Sequence, residues 1–213
     1  MSTKMIKKNI YNIKIILLGI SGVGKTNLID TYFGNNFNPD STPSSNPSQS
    51  HDKIIINDNI CYIDIWDTMG QEKYLSITQN FIKGSHIIIF VYDITNKDSF
   101  TELDYWVNKV NDEIDIDIII KGLTSNKIDL FEDSQVEKNE GEEYAKKIGA
   151  YFCETSAKVN PKVFKKFVKY LLEQLFNNKD NIKKEGNIFE KSNECIDIGE
   201  KKVKKKKKKK ECC

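Results

Sequence analysis

Eight residues decide what the N-terminal part of this chain can fold into. Gly19-Ile20-Ser21-Gly22-Val23-Gly24-Lys25-Thr26 follows the apolar run Ile13–Leu18 and leads into Lys25–Phe33, a stretch with helical spacing. A glycine-rich turn between a buried strand and a helix N-terminus gathers backbone N–H groups where the helix dipole favours an anion. The spacing is that of G-x-x-x-x-G-K-[ST]. In that motif the glycines wrap a β-phosphate, Lys25 reaches the β- and γ-phosphates, and the Thr26 hydroxyl takes Mg2+. Ile20, Ser21, Gly22, Val23 and Asn27 complete this candidate nucleotide-binding segment.

Short Ile/Val-rich runs recur at Lys53–Ile56, Cys61–Trp66, Ile87–Tyr92, Ile116–Leu123 and Ala150–Cys153. Several are continuous rather than alternating, which suits strands buried on both faces. Between them Asp98–Val110, Glu140–Ile148 and Pro161–Phe176 carry apolar residues at helical spacing, the last opening on a proline suited to a first turn. Alternating strands and helices predict an α/β domain with a mostly parallel sheet and ligands outside the carboxyl ends of its strands. Asn35–Asp52, polar and punctuated by prolines, reads as a surface loop.

Three more motifs fall after strands. Asp67-Thr68-Met69-Gly70-Gln71 places a carboxylate for Mg2+, a Gly N–H for the γ-phosphate and an amide able to orient an attacking water. Asn126-Lys127-Ile128-Asp129 places a carboxylate able to accept from both N1–H and the exocyclic amine of guanine. Adenine lacks that pair of donors, a mismatch worth orders of magnitude in selectivity. Glu154-Thr155-Ser156-Ala157-Lys158 offers the Ala157 N–H for guanine O6. Each tetrapeptide alone reads as a surface loop; all four in one order at strand ends do not. His51 and His86 read as a loop histidine and a strand-start histidine, Cys61 and Cys153 as small strand fillers, and Trp106 as helix packing.

This order of motifs resembles the Ras superfamily of small GTPases, and WDTMGQE with a terminal Cys-Cys resembles the Rab family. The resemblance implies a P-loop NTPase (Ras-like) fold, with a six-stranded mostly parallel sheet and about five flanking helices over residues 1–176. It implies GTP/GDP and Mg2+ as cofactors and slow hydrolysis with Gln71 placing the water. Phe37 falls where the family sets an aromatic ring against the guanine. Ser44 falls where a switch I Thr binds Mg2+, with Thr42 the alternative if the loop shifts by two. Ser45-Asn46-Pro47-Ser48-Gln49 departs from the family's switch I, Gln49 replaces the first ring of an aromatic trio that keeps Trp66 and Phe81, and Met69 replaces an alanine. An alternative stands beside the switch: a degenerate GTPase that holds nucleotide as a membrane scaffold. A P-loop kinase fits poorly, because such enzymes clamp phosphates with arginines and this chain has none.

The formal net charge is only +2, but it is unevenly spread. From residue 177 onward there are 13 Lys against 7 acids, and residues 204–210 are all lysine. An acidic body with a basic tail points to a surface contact made by the tail. Residues 177–213 read as a disordered hypervariable tail, and Cys212-Cys213 resembles a double-geranylgeranylation signal; a solubilising tail or nuclear signal with incidental cysteines is the lesser alternative. Two lipids, or one lipid with a polybasic stretch, make a stable anchor. The resemblance further implies an exchange factor, a GTPase-activating protein, a GDP-dissociation inhibitor or escort protein, and effectors. No nucleic acid is expected. The chain is expected to be a monomer at the cytosolic face of a membrane, with a cytosolic pool.

Overall fold

Every residue of Ile87–Asp93 is buried, which requires covered surfaces on both sides of that strand. The computed structural model describes residues 9–39, 48–68, 81–113 and 119–178 and supplies both covers. Strands β1 (Ile10–Leu18), β2 (Ser48–Ile56), β3 (Asn59–Asp67), β4 (Ile87–Asp93), β5 (Ile120–Asn126) and β6 (Tyr151–Glu154) form one sheet in the order β2-β3-β1-β4-β5-β6. Only β2 runs antiparallel, against β3. The α-helices described over their whole length are α1 (Lys25–Tyr32), α2 (Lys97–Thr101), α3 (Leu103–Glu113), α4 (Lys138–Ile148) and α5 (Pro161–Asn177).

Strand alternation sorts β1 between two cores. Ile13, Ile15 and Leu17 face α1 and α5, where they join Leu28, Phe164, Val168 and Leu171. Ile16 and Leu18 face the other side with Trp106 and Val110 of α3 and Ala145 of α4. Trp106 is thus a packing residue, as its spacing predicts. Cys61 is fully buried in the first core. Cys153 is only half-buried, and burial followed by the charge of Glu154 pushes its thiol up to about 11.

Three expectations change. Residues 48–52, read as the end of a polar loop, belong to β2, with Ser48 opposite Asp67 and Asp52 opposite Ile63. Backbone pairing with β3 does not need apolar side chains on an edge strand. His51 is therefore a strand residue, with Nδ1 2.6 Å from Asp64. Asp98–Val110 is two helices, because Tyr105 N bonds Glu102 O in a tighter i→i+3 turn between α2 and α3. The run Ile116–Leu123 begins its strand only at Ile120; residues 114–118 lie outside those described.

Gly141, on α4, sits against the second core. A Cβ there would stand 2.3 Å from the Tyr92 hydroxyl and 2.9 Å from the Phe152 ring. Gly141→Ala must push α4 off the sheet, so it should cost about 1–3 kcal/mol in urea unfolding. An unchanged midpoint would show that α4 shifts freely.

Candidate functional site

Strand order places β1 between β3 and β4, so the chain leaves neighbouring strands towards opposite faces at the carboxyl end of β1. That is the ligand crevice of such sheets. Gly19 follows β1 so closely against β4 that a Cβ would lie 2.1 Å from Val91 O. Gly24 has φ 96°, left-handed, and a Cβ there would lie 2.4 Å from Asn126 Nδ2. Only glycine meets both demands at position 24. Leu28 N then bonds Gly24 O at 3.0 Å and α1 begins. The Lys25 ammonium, nearly buried, donates to Gly19 O and, at 2.8 Å, to Ile20 O.

The two described metal candidates meet. Thr26 Oγ1 donates to Asp67 Oδ2 at 2.7 Å, although 41 residues separate them. Thr68 Oγ1 bonds Leu17 O at 2.8 Å and holds the end of β3 beside β1. A hydroxyl and a carboxylate at one spot are hard oxygen donors, which fit Mg2+. Ser44, Thr42, Met69, Gly70 and Gln71 lie outside the described residues.

At the far end Asn126 Nδ2 donates to Val23 O at 2.9 Å, and Asn126 Oδ1 accepts from Thr155 Oγ1 at 3.1 Å. One amide therefore joins three of the motifs. Ser156 Oγ donates to Asp129 Oδ1 at 2.6 Å and accepts from Val159 N at 3.0 Å, which orients the carboxylate. Asn27 and Asn38 exchange two bonds of 3.1 Å, from amide to carbonyl and from backbone N–H to side-chain oxygen. They hold the segment carrying Phe37 to α1.

These groups border a cavity of about 420 Å³. Lys25 and Thr26 stand in its wall with Ser21, Gly22, Gly24, Asn27, Phe37, Asn126, Lys127, Asp129, Ala157 and Lys158. Gly19, Ile20, Val23, Asp67 and Ser156 are not part of that wall. Val23 offers its carbonyl to Asn126, and Ser156 its hydroxyl to Asp129. Leu130, next to the predicted Asp129, and Pro39, two positions after the predicted Phe37, line the cavity without a sequence signal of their own. Away from the cavity, Gln49 pairs across the sheet with Trp66, whose ring lies 5.4 Å from that of Phe81. The trio is contiguous.

The family model for Ras proteins matches residues 14–176. The chain belongs to the Ras family. It is 37% identical over 177 residues to the Ras-related protein Rab-2B of Dictyostelium discoideum, covering 82% of this chain and 87% of that protein. Against the Ras-related protein Rab-18-B of Danio rerio, identity is 34% over 164 residues, 76% of this chain and 80% of that one. The Ras-related protein RABA6a of Arabidopsis thaliana is 34% identical over 158 residues, 74% and 67% of the two chains. These relatives make it a Rab-type small GTPase, with GTP or GDP and Mg2+ as its ligands and GTP hydrolysis as its reaction.

In this GTPase Asp129 owes its orientation to one hydroxyl. Ser156→Ala should speed GDP release about tenfold, the equivalent of about 1.4 kcal/mol for a hydrogen bond to a charged group. Displacement of a fluorescent GDP measures it. A wild-type rate would show that Asp129 is held by other contacts.

Proposed function

We propose that this chain is a guanine-nucleotide switch on the cytosolic face of a membrane, acting in vesicle traffic through effectors that bind its GTP form. The observation that carries the reading is one cavity wall that holds both the Asp129 carboxylate, fixed by Ser156, and the Lys25 and Thr26 side chains. Asp129 accepts from guanine N1–H and the exocyclic amine, and the Ala157 N–H donates to O6. Lys25 and the backbone N–H groups of 19–26 take the phosphates. Thr26 and Asp67 hold Mg2+, which neutralises phosphate charge when bound. Gln71 orients water. The chain has no arginine, so an arginine finger must come from an activating partner.

Gln49, Trp66 and Phe81 form the effector patch. An amide stands where relatives of the family use a ring, so an effector must meet a hydrogen-bonding group there. Residues 1–176 form the GTPase domain and 177–213 the tail, whose cysteines carry geranylgeranyl groups. Among the described residues no helix is long and apolar enough to cross a membrane.

Asp129→Asn tests the base reading. It should shift preference from GTP towards xanthosine triphosphate, whose C2 oxygen accepts where guanine's amine donates. Equal affinity of the unaltered protein for ATP and GTP would sink the assignment.

The anchor is tested by fractionation. A polybasic tail acts through a surface potential screened within roughly 10 Å, whereas lipid chains gain about 0.8 kcal/mol per buried CH2 and resist salt. Cys212→Ser with Cys213→Ser should release the protein to the cytosol. Changing residues 204–210 to Gln should leave it on membranes, though less on the most anionic ones. Retention of the double-serine variant in high salt would refute lipid anchoring.

A further inference from the structure

We propose that Asp93 is a positioning residue of the nucleotide site, holding the Lys127 side chain in the cavity wall and so setting how long guanine nucleotide stays bound. The inference rests on the site reading above. Asp93 belongs to none of the four motifs. It ends β4 directly opposite Asn126 at the end of β5, which puts its carboxylate beside the guanine-end loop.

Each carboxylate oxygen has its own task. Oδ1 accepts from Thr95 N at 2.9 Å and Thr95 Oγ1 at 2.8 Å. Oδ2 takes the Lys127 ammonium at 2.6 Å. The backbone is held as well, with Asp93 N donating to Ser99 Oγ and Asn96 N donating to Asp93 O, both at 3.0 Å. Only 8% of the Asp93 side chain is exposed, so the carboxylate cannot trade its partners for water. It is a fixed anchor, not a surface charge.

Lys127 needs such an anchor. Its backbone is left-handed at φ 64°, a conformation that side-chain-bearing residues adopt sparingly. Its four-carbon stem is free to rotate unless the ammonium is tethered. Tied to Asp93, the stem becomes a stationary part of the wall that Lys127 shares with Asp129. A purely structural ion pair would steady the fold without changing nucleotide residence.

The test is a double-mutant cycle on the GDP-loaded full chain, read as the release rate of a fluorescent GDP with the thermal midpoint measured in parallel. Asp93→Asn should speed release about five- to tenfold, less than the full factor of a charge-assisted hydrogen bond because the Asn oxygen still accepts from Lys127. Lys127→Met, which keeps the stem and loses the tether, should do the same. The double variant should be no faster than the faster single one, because both changes cut one link. Thr95→Val, which loosens Asp93 and leaves the pair itself, should give about two- to threefold and serves if Asp93→Asn does not fold. Wild-type release by Asp93→Asn, or effects that multiply in the double variant, would overturn the proposal. An unaltered chain that bound no GDP would overturn the site reading, and this inference with it.

Discussion

The Asn126 side chain is the bond on which the site depends. Its amide nitrogen reaches Val23 O across 103 residues of sequence, and its oxygen takes the hydroxyl of Thr155. The phosphate loop, the guanine-end loop and the loop after β6 therefore share one rigid point. Asn126 is nearly fully buried, so losing either partner would strand a polar group away from water, at about 1–3 kcal/mol. The same amide occupies the space a side chain at position 24 would need. Glycine there serves both the turn and the link.

Around that point the site is a set of paired charges and dipoles rather than free ones. Thr26 meets Asp67, Asp129 meets Ser156, and Lys127 meets Asp93. Each pairing holds a functional group at a defined angle, which lowers the ordering a ligand must impose. The link continues outward through Tyr32 at the end of α1. Its hydroxyl donates to Asp52 of β2 at 2.7 Å, and burial together with that carboxylate raises its pKa above the ordinary phenol value. The Lys165 ammonium of α5 lies 4.8 Å from the Tyr32 ring centroid. The helix nearest the C-terminal tail and the strand beside switch I thus touch the same residue.

Much of this was legible beforehand, for identifiable reasons. The continuous run Ile87–Tyr92 suited a strand covered on both faces, and Pro161 marked the start of α5. Three of the four motifs named ten of the fourteen residues in the cavity wall, because phosphate and guanine chemistry demand particular residues in a fixed order. The extent of β2 was not legible. Residues 48–52 are polar, and their strand state comes from β3 offering its backbone as a template. The break at Glu102 was hidden as well, since side-chain periodicity runs on unbroken across a single tightened turn.

The sequence by itself determined the class of ligand and the sheet that carries it, because those rest on local patterns: glycines before a helix, carboxylates after strands, apolar runs of strand length. Tertiary structure alone decided which side chains orient the others. Asp93 stands 34 positions before Lys127 in no motif, and Ser156 is named by its motif while its task, bonding Asp129, is not. Such tasks depend on which strand ends become neighbours, and strand order is a property of the folded sheet.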